Sequence, residues 1–351
     1  MSAKLWVDKY RPNTLDELTY HTDLSNLLKR LGESGDIPHL LFYGPSGAGK
    51  KTRVLALLHT IFGANVSKVK CEVRSFKAGT TTAEITVLQS NSHIDMTPSD
   101  VGFRDRVVVQ QIIKEIGSSK NPDGRNFKAI ILNQADYLSD EAQAALRRTL
   151  EKYTATTRLI LIANSLCRII APIRSRCLGI RVSAPTENEI KQVLNIIALQ
   201  ENLTLPTILE TRIVANCNRN LRRAIMILQS IYIQHSKLPP DASVPLPEWE
   251  KYLKEITTNI LEEQSPKSLK IVRGKLYEVL ASCIPATTIF IVLTREIMCR
   301  IDPKLKPWVL SESAKYELVM KNGSKPIIHL EAFIARFMSG YKDFMQGIPL
   351  S

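Results

Sequence analysis

Short apolar runs alternate with amphipathic stretches in the first half of the chain. An apolar run at 39–43 leads into a Gly-rich loop, and a helical pattern of apolar residues begins at Lys50. A strand, a turn and a helix of this kind open an α/β unit. The same reasoning predicts strands at 69–76, 85–89, 129–132, 159–163 and 178–182, and helices at 24–31, 106–116 and 140–153. This alternation predicts a parallel sheet with helices on both faces.

The pattern changes after Pro185, where the strand signals stop. Residues 186–235 show helical spacing alone, and a stretch with four prolines follows between 239 and 247. Such a stretch interrupts regular structure and predicts a linker. The helical pattern then resumes at Trp249. We therefore expect three domains, which are an α/β core at 1–184, a small helical domain at 185–238 and a C-terminal helical domain at 239–351.

The net charge of the chain indicates what kind of partner it binds. The chain has 47 Lys and Arg against 34 Asp and Glu, which gives a formal net charge of +13. Such an excess is typical of proteins with an anionic partner, most often nucleic acid or an acidic membrane surface. A basic surface without such a partner stays an alternative. The shares of hydrophobic and charged residues, 44% and 23%, are those of globular proteins and argue against a disordered or fibrous chain.

The cysteines and histidines are too scattered to predict a metal site. None of the six cysteines lies within three residues of another, and the six histidines have no ligand spacing. Scattered cysteines are typical of reduced thiols in the cytosol or nucleus. The first residues lack a signal-peptide pattern, and the longest apolar run, at 279–293, is shorter than a membrane span. We therefore expect a soluble intracellular protein with no metal cluster.

A phosphate-binding loop follows the first apolar run. Residues 44–50 fit the pattern G-x-x-x-x-G-K, in which backbone N–H groups face the phosphates and the lysine reaches the β- and γ-phosphates. The loop lies between an apolar run and a helical pattern, which is the context that this motif requires. The candidate nucleotide-binding residues here are Gly44, Pro45, Ser46, Gly47, Ala48, Gly49, Lys50, Lys51 and Thr52.

The metal-binding part of this site departs from the usual pattern. Lys51 stands where a Ser or Thr hydroxyl holds Mg²⁺, and Thr52 comes one place late. A helix turns by about 100° per residue, so Thr52 is expected to point away from the metal. Asn133 and Gln134 stand where P-loop ATPases carry acidic residues. The sequence therefore predicts that the chain binds ATP or ADP, has an impaired Mg²⁺ site and hydrolyses ATP poorly. The alternative is that Asp136 or another acidic residue replaces the missing carboxylates.

Several motifs occur together along the chain. They are Trp6-Val-Asp-Lys-Tyr-Arg-Pro12, the phosphate loop, Ala145-Leu-Arg-Arg-Thr-Leu-Glu151 and Ile173-Arg-Ser-Arg-Cys177. This set resembles the small subunits of replication factor C, the eukaryotic sliding-clamp loader of the AAA+ class. The Gly-Lys-Lys loop resembles one type of small subunit in particular. The resemblance covers nearly the whole chain and implies an AAA+ ATPase core at 1–184, a lid at 185–238 and a collar that joins five subunits at 239–351.

The resemblance also implies which residues contact the nucleotide. The family's first segment packs around the adenine, and it maps to Val7, Arg11 and the stretch near Thr19. Asn164 matches the family's sensor on the γ-phosphate side, and Arg222 matches the sensor arginine of the lid.

Further implied roles concern other molecules. Arg176, in the Ser-Arg-Cys motif, matches an arginine finger that enters the neighbouring subunit's site, and such fingers contribute about 10³–10⁵ in rate. Arg106, Gln110 and Lys114 match a DNA-facing stretch, and their four-residue spacing places them on one helix face. A solvated helix face stays the alternative for these three. A helix near 77–93 is expected to face the clamp.

As a function, the resemblance implies a subunit of a heteropentameric clamp loader that opens PCNA and loads it onto primer–template double-stranded DNA in replication and repair. The implied partners are the other replication factor C subunits, large and small, PCNA, DNA and the large subunits of alternative checkpoint or cohesion loaders, with no membrane and a nuclear location. Two alternatives stay open. An autonomous P-loop DNA-dependent ATPase or branch-migration motor needs the missing acidic pair, and a small-molecule kinase would lack the C-terminal helices and the Ser-Arg-Cys motif.

Overall fold

A seven-stranded sheet lies at the centre of the first half of the chain. The computed structural model describes residues 4–78, 81–118, 127–235, 238–323 and 325–348. Its strands are β1 Leu40–Tyr43, β2 Lys70–Ala78, β3 Thr81–Gln89, β4 His93–Met96, β5 Lys128–Leu132, β6 Thr157–Ala163 and β7 Leu178–Arg181. Their order in the sheet is β2-β3-β4-β5-β6-β1-β7.

The sheet is mixed, with parallel pairing from β4 to β7 and antiparallel pairing at the other edge. Strands β4, β5, β6, β1 and β7 are parallel neighbours, whereas β3 pairs antiparallel with both β2 and β4. A purely parallel sheet is therefore wrong for β2 and β3. Only short connections join β2 to β3 and β3 to β4, and parallel strands need a crossover of a dozen residues or more.

Helices follow the strands in the order expected of an α/β fold. In the first part of the described chain they are α1 Trp6–Lys9, α2 Thr22–Glu33, α3 Lys50–Phe62, α4 Asp105–Ser118, α5 Asp140–Lys152, α6 Ala171–Arg174, α7 Glu187–Gln200, α8 Thr207–Asn216 and α9 Leu221–His235. Short 3-10 helices lie at Gly63–Ser67, Pro98–Arg104 and Ala135–Tyr137. The later helices are α10 Glu248–Glu262, α11 Pro266–Ala281, α12 Ala286–Arg300, α13 Lys306–Asn322 and α14 Pro326–Met345.

The sheet is buried on both faces because successive residues of a strand point to opposite sides. On β5, Ile131 belongs to an apolar cluster that also contains Leu57 of α3. Its neighbour Ile130 belongs to a second cluster that contains Ile112 of α4 and Leu146 of α5. The predicted α/β fold with helices on both faces is therefore confirmed.

Two details of the region between β2 and α4 differ from the sequence-based expectation. The helix predicted near 77–93 is wrong, since β3 and the start of β4 occupy it. Strand β4 was not predicted, because His93 and Asp95 interrupt its apolar pattern. All four residues of β4 are nevertheless buried. The polar side chains of this strand must therefore have partners inside the protein.

The chain divides into two compact units, 1–244 and 245–351, each with its own core. The first unit contains the sheet and α1–α9, and the second contains α10–α14 around a cluster that includes Phe290 and Phe333. The division falls within the proline-rich stretch that predicted a linker. The finer boundaries at 184/185 and 238/239 stay a prediction. In the described part of the chain, the helices are too short or too polar to cross a membrane.

Candidate functional site

The phosphate loop lies between the end of β1 and the N-terminus of α3, and two of its glycines are in close contact with other segments. Gly47 and Gly49 have φ angles of 77° and 85°, in the region that favours glycine. A Cβ on Gly47 would lie 1.8 Å from Asn220 Oδ1, and a Cβ on Gly49 would lie 2.2 Å from Tyr20 Oη. The loop is therefore packed between the N-terminal segment and the start of α9.

Lys50 is buried at the start of α3, with its ammonium directed at the ends of β1 and β6. The Nζ atom donates to three oxygens at 2.6 to 2.9 Å, which are the backbone oxygens of Gly44 and Pro45 and Oδ1 of Asn164. The pKa of Lys50 is lowered to about 8, mainly by burial and also by Arg222, against the opposing effect of Asp136. The structure thus brings Lys50, Asn164 and Arg222 into one electrostatic neighbourhood.

A cavity of about 430 Å³ lies beside the loop and joins three parts of the first unit. Helices α7 and α9 contribute apolar side chains to it, among them Val193, Ile197 and Ile225. Its size and apolar lining are typical of sites for small organic ligands. The sequence-predicted residues that line it are Val7, Arg11, Thr19, Gly47, Gly49, Thr52 and Arg222.

The remaining residues in and directly after the phosphate loop differ in burial and in the direction of their side chains. Pro45 and Ser46 are exposed at the tip of the loop. Ala48 is buried, and its carbonyl oxygen accepts a hydrogen bond from Tyr20 Oη at 3.3 Å. Thr52 lines the cavity, whereas Lys51 extends towards β4. The two residues that follow the loop lysine therefore point to different sides of α3.

A buried arginine that the sequence reasoning missed fixes the N-terminal segment against α3. Arg53 is fully buried and donates to the backbone oxygen of Tyr20 at 2.7 Å and to Ser25 Oγ at 2.8 Å. Its guanidinium carbon also lies 4.8 Å from the centre of the Tyr20 ring. The signal in the sequence was an arginine within the apolar face of a helix. These contacts position the segment that carries Thr19 at the cavity.

The side of the loop where a metal ion is expected is occupied by an ion pair. Lys51 Nζ lies 2.6 Å from Asp95 Oδ2, and Asn133 Nδ2 donates to Asp95 Oδ1 at 2.5 Å. Asp95 is buried on β4, with 4% of its surface exposed. Mg²⁺ prefers an octahedral set of oxygen ligands, and here both oxygens of the carboxylate already accept from nitrogen donors. The residues present therefore do not fit a magnesium ion.

The remaining acidic-motif positions follow β5. Gln134 is exposed with a φ of 50°, and its Oε1 accepts from Ser99 Oγ at 3.4 Å. Asp136 is buried, and its Oδ1 has no hydrogen-bond partner among the described residues. The charge of Asp136 acts on Lys50, whose pKa it raises against the effect of burial. In the described part of the chain, no group of three or more His, Cys, Asp or Glu residues could hold a metal ion.

Arg176 lies on the surface just after α6, away from the cavity lining. Its Nε and Nη2 atoms each lie 2.8 Å from Glu151 Oε1, and its Nη1 donates to the backbone oxygen of Pro172 at 2.9 Å. The next residue, Cys177, is buried, and burial raises the pKa of its thiol to about 11. The arginine of the Ser-Arg-Cys motif is therefore on a surface, and its cysteine belongs to the core.

Arg106, Gln110 and Lys114 are exposed on one face of α4. The first two line a groove of about 630 Å³ together with Arg147 and Arg148 of α5. The glutamate that binds Arg176 lines the same groove. Arg106 Nη1 also lies 3.3 Å from a carboxylate oxygen of α5, but both side chains are largely exposed. Two of the three predicted DNA-facing residues therefore line a groove with three arginines and two glutamates, which the predicted finger adjoins through Glu151.

Solved structures share the fold of this chain at low sequence identity. The Thermotoga maritima RuvB Holliday junction branch migration motor superposes with a TM-score of 0.50 at 13% identity, covering 76% of this chain and 85% of that chain. At this identity the likeness shows the fold alone. Three family descriptions match parts of the sequence, which are "DNA polymerase III, delta subunit" at 20–186, "RCF1/5-like, AAA+ ATPase lid domain" at 192–233 and "Replication factor C subunit 3, C-terminal domain" at 249–345.

Curated relatives match nearly the whole chain. Replication factor C subunit 5 of Oryza sativa subsp. japonica is 48% identical over 97% of this chain and 98% of its own length. Replication factor C subunit 3 is 47% identical in Arabidopsis thaliana, with the same coverage, and 43% identical in Homo sapiens, with 97% of each chain covered. The resemblance that the motifs indicated is thereby confirmed, and the chain belongs to the replication factor C family, among the subunits numbered 3 or 5.

Proposed function

We propose that this chain is a small subunit of a heteropentameric clamp loader that uses ATP to open the sliding clamp PCNA and load it onto primer–template DNA. The observation that carries the proposal is the match to replication factor C subunits along nearly the whole chain. The proposed partners are the large and small subunits of that complex, PCNA, double-stranded DNA and the large subunits of alternative loaders. The proposed setting is replication and repair in the nucleus.

The chain's own site is proposed to bind ATP or ADP without efficient hydrolysis. The cavity supports binding, because its apolar wall adjoins Arg222 and two glycines of the phosphate loop, and the same loop leads into the buried Lys50. Asn133 and Gln134 support the lack of hydrolysis, because an amide neither activates a water molecule as a base nor supplies a negative charge to a metal. The buried Asp136 acts on Lys50 and is a poor substitute for the missing base.

Arg176 is proposed to act in the site of a neighbouring subunit. A guanidinium stabilises the charge that develops on a transferring phosphoryl group. Arg176 lies on the surface and is bound to Glu151 by an exposed ion pair. Such pairs contribute only about 0–1 kcal/mol, so a phosphate oxygen can readily replace this carboxylate.

The groove between α4 and α5 is proposed to contact DNA. Arg106, Arg147 and Arg148 line it against two glutamates, Glu141 and Glu151, and the chain as a whole has a formal net charge of +13. Arginines on a surface of this kind bind phosphates and carry little sequence information. We therefore expect binding that is insensitive to DNA sequence and weakens steeply with salt.

The autonomous ATPase or branch-migration motor is not favoured. Its support is a likeness of fold at 13% identity, against 43–48% identity to the replication factor C subunits above. A motor of that class also needs the acidic pair that Asn133 and Gln134 replace.

Steady-state ATP hydrolysis with clamp and primer–template DNA present tests the proposal. The chain alone is expected to be inactive, and the reconstituted complex is expected to lose the neighbouring site's share of turnover when it carries Arg176→Ala. Arg174→Ala, which removes an exposed arginine two residues earlier, is the control and is expected to leave the rate unchanged. Turnover by the chain alone would favour an autonomous ATPase. Equal rates for the two variants would remove Arg176 from catalysis.

A further inference from the structure

The ion pair between Lys51 and Asp95 occupies the metal side of the phosphate loop. We propose that the Lys51 ammonium takes the place of Mg²⁺, so that this chain binds ADP or ATP without a divalent cation. The inference rests on the proposed nucleotide binding and deepens it, because it specifies the form of nucleotide that the site accepts. That form is the free nucleotide rather than its magnesium complex.

Lys51 occupies the position at which a metal ligand is expected. It is the second residue of α3, directly after the loop lysine, where a hydroxyl would hold the metal. Its side chain reaches Asp95 on β4, the strand that pairs with β5, and Asn133 is the residue directly after β5. Asn133 donates to the second oxygen of the same carboxylate. The ammonium is thus held by one buried carboxylate of β4, and Asn133 in turn fixes that carboxylate.

The charge of the Asp95 carboxylate is already balanced by an ammonium. The buried carboxylate of Asp95 would attract a cation, and Lys51 supplies one at 2.6 Å. A divalent ion at this carboxylate would have to displace that ammonium or lie next to it, and like charges at such a distance repel strongly. Thr52 offers no replacement hydroxyl, because it lines the cavity on the other side of α3.

The Lys51 side chain is also partly exposed. Its side chain remains 36% exposed, although its partner carboxylate is 4% exposed. An ammonium has three donors, and Asp95 uses one of them in the structure. The exposure leaves the other N–H groups accessible, and in the proposed complex one of them donates to a phosphate oxygen beside the loop. A positive charge is therefore present before the nucleotide binds, and it needs no ion from solution.

Titration of the full-length chain with a fluorescent ADP analogue, in magnesium buffer and in EDTA, tests the inference. The wild-type chain is expected to bind with the same affinity in both buffers. Lys51→Met keeps the length of the side chain without its charge, and it is expected to weaken binding about ten- to a hundredfold in both buffers, as expected for losing a charged hydrogen bond. Lys51→Thr is expected to bind more tightly in magnesium than in EDTA, because it restores a hydroxyl and leaves Asp95 without its ammonium.

Two controls keep these variants interpretable. Lys68→Met removes the same charge from an exposed residue beyond the far end of α3 and is expected to bind like the wild type. The double variant Lys51→Met with Asp95→Asn avoids an unpaired buried carboxylate, and it is expected to bind as weakly as Lys51→Met alone. If Lys51→Met binds like Lys68→Met, the ammonium does not contact the nucleotide and the inference is wrong.

The wild-type measurement separates the inference from the function on which it rests. If chelation alone weakens ADP binding tenfold or more, the site uses a metal and the inference fails, while nucleotide binding stands. If the chain binds the analogue in neither buffer, the proposed nucleotide binding fails, and the inference fails with it.

Discussion

The contact between the phosphate loop and the start of α9 gives a sharp prediction for Gly47→Ala. The added methyl group would lie 1.8 Å from Asn220 Oδ1. That oxygen cannot move away freely, because it accepts the backbone N–H of Arg223 at 3.1 Å and so caps α9. The substitution therefore either breaks the cap or displaces the loop from the helix that carries Arg222.

The expected cost has two parts. An alanine at the φ of 77° found for Gly47 costs about 1–2 kcal/mol, because its Cβ approaches the following carbonyl oxygen. Loss of an asparagine cap costs about 1 kcal/mol more. We expect the free energy of unfolding of the first unit to fall by about 2–3 kcal/mol in total. Gly35 has nearly the same φ, 75°, and a methyl group added there would have no neighbouring atom within 4 Å. Gly35→Ala is therefore expected to have the backbone cost of a positive φ without the loss of a cap.

The assay uses the fluorescence of Trp6, the one tryptophan in the first unit. Its ring packs on Tyr232 of α9 with the ring centres 5.3 Å apart, so it reports on the helix that Asn220 caps. Urea unfolding is followed in a background in which Trp249 and Trp308, both in the second unit, are replaced by phenylalanine. This isolates one unit of a chain that is not expected to unfold in a single step.

The comparison of the two glycines decides the result. Gly47→Ala is expected to be about 1 kcal/mol more destabilising than Gly35→Ala. In an Asn220→Ala background this excess is expected to vanish, because the atom that the methyl group meets is gone. Equal effects of the two alanines in the wild-type background would refute the proposed contact, and an excess that persists without Asn220 would place the clash elsewhere.

Two further predictions concern charge. The pKa of Lys50, about 8 in the chain without nucleotide, means that the ammonium is lost as the pH rises through 8, so affinity for ADP is expected to fall by up to about tenfold per pH unit above that value. A flat profile between pH 7 and 9 would contradict this, and Lys50→Arg is expected to give one. Arg106→Ala is expected to weaken primer–template binding by the assembled complex and to reduce the slope of log affinity against log salt by about one. Arg212→Ala, on α8, is the control.

Much of the site could be predicted because phosphate loops are formed by contiguous residues. The apolar run before Gly44, the glycines and the helical pattern after Lys50 together predict a strand, a loop and a helix. The different orientations of Lys51 and Thr52 follow from the helical rotation per residue, and the structure has them on different sides of α3. These features depend on local geometry, which sequence spacing encodes.

The partners of buried charges could not be predicted, because they come from distant parts of the chain. Asp95 belongs to a strand whose apolar pattern it breaks, and only the order of strands in the sheet brings it to Lys51. Arg53 likewise appears in the sequence as a polar residue within an apolar helix face. Its partners precede the first strand and are joined to it only after folding. The partner of a charged residue that interrupts an apolar pattern is therefore determined by the tertiary structure.

Binding without hydrolysis is physically consistent for the proposed site because the two processes depend on different groups. The backbone of the loop, Lys50 and the apolar cavity act on the nucleotide in its ground state, and this chain has all three. The acidic pair of an active site holds the metal and activates the attacking water, and both effects act on the transition state. With Asn133 and Gln134 in place of that pair, and Lys51 in place of the metal as proposed, the site is expected to lose rate without losing affinity. On the proposed function, the chain keeps a nucleotide as part of its structure, while Arg176 on its surface acts in a neighbouring site that retains the metal.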